Sequence, residues 1–275
     1  MSFRQTSASP GSPRPYPPNG SRGYLSGSKT RAKSNHRDVG VTDAMSDTMS
    51  YVERIATAQA VVWDVDGTLA DSTALGFTST NVVLKLNEIP TITLEQYKFA
   101  TRYPTPQRMA FHAVGNTDDP IGEKLGSEFD KHYVELVSTK TTGFYEGIPV
   151  LIEALGCGNK KQAVLSNACG DYARRVVEVN QYGNSFDTVH GADDAPEPKP
   201  SPAGLLQIAK SNGWNPVRCI YVGDSPSDGA AAMSAGMVSV GCAWGAHDVA
   251  SLTESKNFHV IANTVGELRK VLLSE

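Results

Sequence analysis

The sequence predicts an α/β fold in which a mostly parallel sheet is covered by helices on both faces and interrupted by one all-helical insert. From Gly147 onward, short apolar runs rich in β-branched residues alternate with amphipathic helical segments. One further run of the strand type stands apart at 60–65, and no strand pattern occurs between 72 and 145. The predicted divisions are a tail at 1–45, a core made of 46–71 and 146–275, and a helical cap at 72–145.

Composition bounds the kind of protein. Of 275 residues, 40% are hydrophobic and 20% charged, which is ordinary for a globular protein. The net charge of −4 does not indicate a nucleic-acid or anionic-membrane partner, and no apolar run is long enough to span a bilayer. We therefore expect no nucleic-acid partner and no membrane partner. We expect the protein to be a monomer or a homodimer. The cysteines lack CxxC spacing and are expected to be reduced; they are Cys157, Cys169, Cys219 and Cys242.

The first 45 residues differ from the rest of the chain. No Asp or Glu occurs before Asp38, basic residues recur, and Ser, Pro and Gly dominate, which predicts a disordered tail. A basic, acid-free segment is also typical of an organelle transit peptide, although five prolines by Pro18 would break an amphipathic helix. The expected location is cytoplasmic, with the mitochondrion or plastid as the alternative.

The first half of the chain predicts one strand and several helices. A short helix is expected within 46–58, and the strand follows at 60–65. In the cap, an apolar helical face is expected from Val82, Val83, Leu86 and Ile89, and the helix should stop at Pro90. A longer helix is expected over 121–137. Between them, the run Tyr103-Pro104-Thr105-Pro106 should break the segment 98–115.

The second half returns to alternation. The predicted strands are 162–167, 187–191, 219–223, 238–243 and 259–262, and the predicted helices are 148–155, 171–179 and 226–236. Another helix should have Ser201 as its N-cap and Pro202 at its first position, and should stop at Gly213. Thr264 and Glu267 are expected to form a capping box for the last helix.

Polar motifs follow four of the predicted elements. Asp64 and Asp66 end the first strand, and such adjacent carboxylates repel each other unless a cation or a proton intervenes. Each motif alone has an ordinary structural explanation, such as a helix cap, a turn or a solvent-exposed charge. Together, at the strand ends where open α/β sheets bind ligands, they predict one site. The other members are Ser166, Asn167, Lys199, Asp224 and Asp228.

These motifs resemble the haloacid dehalogenase superfamily, in the branch that includes phosphoglycolate phosphatase and β-phosphoglucomutase. The resemblance covers about 60–273 and rests on DVDGTLADS at 64–72, on GIP and LIEAL, and on YVGDSPSD with the later AGM and WG. It implies a Rossmann-like core and a type I helical cap inserted after the first motif. The glycine-containing junctions at 72–76 and 143–147 predict hinges on which this cap opens and closes.

The resemblance also implies catalytic roles. Asp64 would be the nucleophile that forms an aspartyl-phosphate, and Asp66 would act as general acid and then as general base. Ser166 would hydrogen-bond the transferring phosphoryl group, and Lys199 would neutralise its charge. The implied cofactor is Mg²⁺. Its expected ligands are Asp64, Asp224 and the backbone carbonyl of Asp66, with Asp228 as a further ligand or a supporting residue.

The motifs indicate the chemistry but do not specify the substrate. Residues expected near it are Thr68, Asn167, Arg102 and Arg108, with Lys98 and His112 as further cap candidates. Family members that cleave carbon–halogen or phosphonate bonds lack the second aspartate, so Asp66 favours phosphoryl transfer from an ester. We predict a Mg²⁺-dependent phosphatase acting on a small phosphorylated metabolite, either phosphoglycolate-like or a sugar phosphate. The alternatives are a sugar-phosphate mutase and a non-catalytic binding protein of this fold.

Overall fold

A computed structural model of the protein describes residues 49–275, so the predicted tail at 1–45 lies outside the described residues. The strands are β1 (Ala60–Trp63), β2 (Lys161–Leu165), β3 (Thr188–His190), β4 (Cys219–Gly223), β5 (Val238–Cys242) and β6 (Val260–Ala262). They form one parallel sheet in the order β3-β2-β1-β4-β5-β6. The predicted α/β class is confirmed.

The helices of the described residues follow the predicted alternation. The early ones are α1 (Tyr51–Ala56), α2 (Thr73–Leu86), α3 (Leu94–Ala100), α4 (Thr105–Val114) and α5 (Ile121–Glu135). The later ones are α6 (Ile148–Cys157), α7 (Gly170–Val179), α8 (Ala203–Ser211), α9 (Pro226–Ser234), α10 (Val249–Ser255) and α11 (Val265–Leu273). None of these helices combines the length and the apolar character needed to cross a bilayer.

The position of β1 determines where ligands can bind. Trp63 at its end is paired with Val164 of β2 on one side and Val222 of β4 on the other. The chain visits β2 and β3 on the first side before it crosses to β4, so the strand order reverses at this point. In open parallel sheets a crevice forms outside the carboxyl ends of the strands where the order reverses. Asp64 follows β1 directly into this crevice.

Alternation along β1 supplies both faces of the core. Val61 and Trp63 pack into one apolar layer, and Ala60 and Val62 pack into the layer on the opposite face. All four side chains are fully buried, which explains why the run is apolar throughout rather than alternating with polar residues. Burial of each of the two valines contributes roughly 1.5–3 kcal/mol to folding.

The predicted helical insert is present as α2–α5. Gly122 and Gly126 of α5 lie against Pro106 in α4, where an added Cβ on Gly122 would collide with backbone. The insert begins and ends at one place, because Asp71 N–H donates to the Gly143 carbonyl at 3.1 Å. The predicted break before residue 106 is also found, since α3 ends at Ala100 and α4 begins at Thr105.

Some local predictions are wrong. Val82 and Leu86 of α2 are exposed, because Leu75, Val83 and Leu84 fix which face of the helix is buried. Gly76, at the predicted junction 72–76, lies inside α2 against the Tyr97 hydroxyl, where it makes room for packing.

Two helix ends also differ from the predictions. Pro202, not Ser201, occupies the N-cap of α8, and Ser201 Oγ accepts a hydrogen bond from the backbone of Ala203. At α11, the Thr264 hydroxyl accepts from the N–H of Glu267, as in a capping box. The Glu267 carboxylate, however, accepts from the N–H of Asn263 instead of that of Thr264. The four cysteines are all free, as expected, and Cys219 and Cys242 are buried.

Candidate active site

A cavity of about 80 Å³ lies at the carboxyl ends of β1, β2 and β4, between the core and the cap. The core lines it with most of the predicted motif residues, namely Asp64, Asp66, Ser166, Asn167, Lys199, Asp224 and Asp228. The cap lines it with Tyr97, Lys98, Thr101, Tyr103, Thr105, Arg108 and Tyr133. The core motif residues therefore share one cavity, as their positions at the strand ends predicted.

Lys199 lies at the centre of the site and bonds three of its side chains. Its ammonium donates to Asp64 Oδ1 and to Asp228 Oδ1, both at 2.7 Å, and to the Tyr221 hydroxyl at 2.8 Å. The backbone of Lys199 is fixed by Asn167, whose amide group donates to the Lys199 carbonyl and accepts from its N–H, each at 2.9 Å. The Asn167 side chain is thus committed to holding Lys199, and a contact with phosphate would fall to its backbone.

Burial and neighbouring charges set the protonation of this centre. Burial raises the pKa of Asp64 to about 7; Lys199 opposes this effect, and Asp228 and Asp66 add to it. Burial, together with the charges of Asp64 and Asp228, raises the pKa of Asp224 well above its ordinary value. For Lys199 burial alone would lower the pKa, but the carboxylates of Asp228 and Asp64 raise it overall. Lys199 is therefore charged.

The donor set fits a divalent cation. Carboxylate oxygens of Asp64, Asp224 and Asp228 lie within 4.8 Å of one another. When all are ionised, three carboxylates against the one ammonium of Lys199 leave two negative charges in a buried place. Hard oxygen ligands of this kind suit Mg²⁺, and a bound divalent cation would offset the charge.

Asp228 differs from the other two carboxylates because both its oxygens are already engaged. Oδ1 accepts from Lys199, and Oδ2 accepts from the backbone N–H and the hydroxyl of Ser225, at 2.9 and 2.7 Å. Asp224 accepts at Oδ2 from the N–H of Ala246 at 2.6 Å. This pattern suits Asp228 to hold Lys199 in place, and leaves Asp64 and Asp224 as the freer donors for a metal.

Two glycines allow backbone to approach the Asp224 carboxylate closely. Gly67 has φ of +78°, and an added Cβ there would collide with the Asp224 carboxylate. A Cβ on Gly245 would collide with the same carboxylate and with the Gly67 carbonyl. These glycines let two loops meet at Asp224.

One oxygen of Asp66 is bonded to hydroxyl groups rather than to Lys199. Its Oδ1 accepts hydrogen bonds from the hydroxyls of Ser72, Tyr133 and Tyr172, at 2.5, 2.8 and 2.6 Å. The Asp66 side chain is not among the three carboxylates that lie within 4.8 Å of one another, which fits the backbone carbonyl that the resemblance implies as its metal ligand.

The remaining predicted residues divide into two groups. Ser166 is buried at the end of β2 and lines the cavity. Thr68 does not line it, because its side chain is buried against Cys242, with 3.5 Å between Oγ1 and Sγ. Arg102 does not line it either, since its exposed guanidinium lies over the Phe99 ring and bonds the Phe99 carbonyl. Of the predicted substrate contacts, Thr68 and Arg102 thus lie outside the lining of this cavity.

Arg108 is a half-buried cation on the cap side of the cavity. Its guanidinium carbon lies 4.8 Å from the centre of the Phe129 ring and 5.7 Å from that of Tyr97. Its buried Nε has no hydrogen-bond partner among the described residues. Lys98 also lines the cavity but is exposed. His112 does not line it, and burial with the nearby Arg108 charge lowers its pKa to about 3, so it is neutral.

Sequence reasoning missed several residues of the site. Tyr221 was assigned only to a strand, Tyr133 only to the helix predicted at 121–137 and Gly245 only to the WG of the resemblance, while Tyr172 was not singled out. A tyrosine in an otherwise aliphatic run is a usable signal, because a buried hydroxyl needs a partner. That signal would have found Tyr221, between Ile220 and Val222.

The chain is similar to known proteins over most of its described length. The family model described as haloacid dehalogenase-like hydrolase matches residues 61–242. A phosphoglycolate phosphatase of Xanthomonas campestris is 30% identical over 187 residues, which cover 68% of this chain and 84% of the relative. One from Aquifex aeolicus is 28% identical, covering 68% and 85%.

Solved structures show the same fold. A predicted phosphoglycolate phosphatase from Haemophilus somnus superposes with a TM-score of 0.67 at 22% identity, covering 78% of this chain and 98% of that one. CbbY from Rhodobacter sphaeroides, solved in complex with xylulose-(1,5)bisphosphate, gives 0.67 at 18% identity, covering 77% and 96%. The chain belongs to the haloacid dehalogenase-like hydrolase family, in the branch of the phosphoglycolate phosphatases, and is a phosphoric monoester hydrolase.

Proposed function

We propose that this phosphatase depends on Mg²⁺ and works through an aspartyl-phosphate formed on Asp64. One observation carries the proposal: the buried Lys199 ammonium contacts Asp64 at 2.7 Å, beside Asp224, at the end of the central strand. A carboxylate in such a place can attack phosphorus and split the hydrolysis into two easier steps. Bound Mg²⁺, held by Asp64, Asp224 and the backbone carbonyl of Asp66, would supply positive charge against the phosphoryl oxygens.

The first step transfers the phosphoryl group to the protein. An Asp64 oxygen forms a bond to phosphorus, and the bond from phosphorus to the ester oxygen breaks. Asp66 gives its proton to the departing alkoxide, which leaves as the alcohol. Lys199 and the Ser166 hydroxyl stabilise the charge on the transferring group.

The second step releases phosphate. Asp66, now a carboxylate, takes a proton from a water molecule, whose oxygen bonds to phosphorus. The bond from phosphorus to Asp64 breaks, and inorganic phosphate leaves with the Asp64 carboxylate regenerated. The cavity between core and cap limits the access of bulk water during this exchange.

The proposed substrate is a small phosphorylated acid of the phosphoglycolate type, ahead of an uncharged sugar phosphate. Its phosphate would bind at Asp64 and Lys199, and its carboxylate would face Arg108 on the cap side. Arg108 supports this assignment because it lines the cavity on the cap side, and a guanidinium suits a carboxylate. The relatives named phosphoglycolate phosphatase support the same substrate class.

The purified chain tests the proposal directly. We expect it to release phosphate from phosphoglycolate and from p-nitrophenyl phosphate only with Mg²⁺ present, and to be inactive after chelation. Asp64→Asn is the matched control, because the amide cannot form the acyl-phosphate. Wild-type turnover no higher than that of Asp64→Asn would refute the proposal.

A sugar-phosphate mutase is the second candidate. Two cations, Lys98 and Arg108, line the cap side of the cavity and could bind a second phosphate. CbbY, which shares the fold, was solved with a sugar bisphosphate. A mutase would isomerise a hexose phosphate when primed with a bisphosphate and release little inorganic phosphate, so free phosphate as the main product excludes it. Mg²⁺-dependent turnover without residues 1–45 would likewise argue against a non-catalytic binding protein.

A further inference from the structure

Three hydroxyl groups converge on one oxygen of Asp66. Oδ1 accepts from Tyr172 at 2.6 Å, from Tyr133 at 2.8 Å and from Ser72 at 2.5 Å. Their sources are different: Ser72 precedes α2, Tyr133 belongs to cap helix α5, and Tyr172 belongs to core helix α7. A single carboxylate oxygen therefore joins the core, the junction and the cap.

The two tyrosines form a rigid pair. Their rings are stacked, with centroids 3.9 Å apart and an interplanar angle of 13°. Tyr172 is fully buried and Tyr133 is 3% exposed. A buried tyrosine hydroxyl requires a hydrogen-bond partner, and for both side chains the partner is Asp66. The stacking holds the two hydroxyls close enough to share that oxygen.

This arrangement determines where Asp66 can carry a proton. Oδ1 already accepts three hydrogen bonds. A proton bound to Oδ1 would therefore point at a hydroxyl that is itself donating to the same oxygen. The proton must then sit on Oδ2, which receives no hydrogen bond from the described residues. Fixing one carboxylate oxygen also fixes the rotation of the side chain, and with it the direction in which Oδ2 points.

We propose that Tyr133 and Tyr172 are positioning residues that aim Oδ2 of Asp66 at the ester oxygen of the substrate. The inference rests on the proposed acid role of Asp66 and extends it to two tyrosines from different parts of the chain. Because Tyr133 comes from the cap, the acid is fully aligned only while the cap lies on the core. The tyrosines act through Asp66 and form no bond to the substrate.

The leaving group provides the test. The hydroxyl oxygen of glycolate is a poor leaving group and needs a proton as it departs from phosphorus. The p-nitrophenolate ion leaves well without one. The value of kcat/KM reports the steps up to departure of the leaving group, so it should be measured with Mg²⁺ on phosphoglycolate and on p-nitrophenyl phosphate. If phosphoglycolate is not hydrolysed, glycerol phosphate or another hydrolysed alkyl phosphate serves as the alkyl ester.

The variants are Tyr172→Phe and Tyr133→Phe, which keep the stacked rings and remove only the hydroxyls. We expect each to lower kcat/KM for the alkyl phosphate about tenfold and for p-nitrophenyl phosphate less than about twofold, since misplaced general acids lose part of a 10²–10⁴-fold effect. Tyr182→Phe is the matched control, because it removes another tyrosine-to-carboxylate bond, to Glu153, outside the cavity. It should change neither value.

The outcomes separate two failures. Asp66→Asn should show the same selectivity as the tyrosine variants, but more strongly. If Asp66→Asn slows both substrates equally, the acid role and this inference both fail. If Asp66→Asn is selective but the tyrosine variants slow both substrates equally or neither, only the inference fails. Ser72→Ala removes the third hydroxyl that donates to Asp66 Oδ1 and is measured in the same way. Thermal melting of each variant identifies any loss of folding.

Discussion

The ammonium of Lys199 lies 2.7 Å from Oδ1 of Asp64, and both side chains are almost completely buried. The same ammonium also contacts Asp228, so one positive charge serves two buried carboxylates. Breaking a buried ion pair by removing one partner costs about 3–5 kcal/mol, because the other charge is left uncompensated. We expect Lys199→Met to be inactive and to lose about that much free energy of unfolding, measured by urea denaturation without Mg²⁺.

Lys161→Met is the control for that measurement. Lys161 is exposed and lies 3.9 Å from Asp187 in a surface ion pair, which is worth less than about 1 kcal/mol. Equal losses of stability in the two variants would contradict the role assigned to Lys199.

Gly245→Ala should remove the stabilising effect of Mg²⁺. The added Cβ would displace the Asp224 carboxylate, which is one of the freer donors for a metal. A ligand that binds only the folded state raises its stability, so the melting temperature of the wild type should rise with Mg²⁺. That rise, and the Mg²⁺-dependent activity, should both be lost in the variant.

Gly156→Ala gives the matched comparison. Gly156 lies within α6, and a Cβ there would meet nothing within 4 Å. Alanine in a helix is favoured over glycine by about 0.5–1 kcal/mol, so this variant should melt slightly higher and keep the full response to Mg²⁺. A normal Mg²⁺ response in Gly245→Ala would show that the loop contact does not position Asp224.

Arg108→Gln should change substrate preference rather than catalytic chemistry. Hydrogen bonds to charged groups contribute about 1.5–3 kcal/mol, so KM for phosphoglycolate should rise roughly 10- to 100-fold. Ethyl phosphate lacks the carboxylate, and its KM should change by less than about threefold on the same reasoning. Arg102→Gln, which alters an exposed arginine outside the cavity, should affect neither substrate. Similar KM increases for both substrates in Arg108→Gln would refute the carboxylate contact.

Asp130 should make stability depend on pH. Burial raises its pKa from 3.8 to about 6; Arg108 opposes this and Asp193 adds to it. The folded state therefore holds a proton that the unfolded chain releases, so this stabilisation is complete below about pH 4 and is lost as pH rises through 6. At pH 7.5 the ionised side chain is unfavourable. Asp130→Asn should then raise the free energy of unfolding by about 1–3 kcal/mol.

The pH series provides the check on that prediction. The advantage of Asp130→Asn over the wild type should shrink steadily between pH 7 and pH 5, as the wild-type side chain takes up its proton. Asp118→Asn, at an exposed position, should show no such trend. A constant difference across the series would mean that Asp130 is not protonated in the folded state.

Sequence patterns predicted the parts of the molecule that depend on local chemistry. Apolar β-branched runs identified the strands, and the polar residues that follow them identified Asp64, Ser166, Lys199 and Asp224, because parallel strands end at one edge. Local pattern does not fix the phase of a helix against its neighbours. This is why Leu86 of α2 was assigned to a buried face although it is exposed.

Long-range contacts limited the rest of the prediction. Arg102 and Arg108 are six positions apart in the same cap segment, and only the fold shows which of them lines the cavity. Tyr172 meets Asp66 across 106 positions of the chain, and nothing near either residue indicates the contact. Such pairs depend on how α5 and α7 meet above the sheet, which spacing along the sequence does not encode.

The paired junction of the cap has a consequence for how this protein could evolve. The backbone bond from Asp71 to Gly143, with a second bond from Tyr145 to Leu69, brings the two ends of the insert side by side. The sheet therefore needs nothing from the insert for its connectivity, and an insert of another length or sequence could occupy the same junction. New substrates could be gained by changing the insert while the chemistry of the core is inherited unchanged. Tyr133 marks the exception, since a replacement insert must again supply a hydroxyl to Asp66.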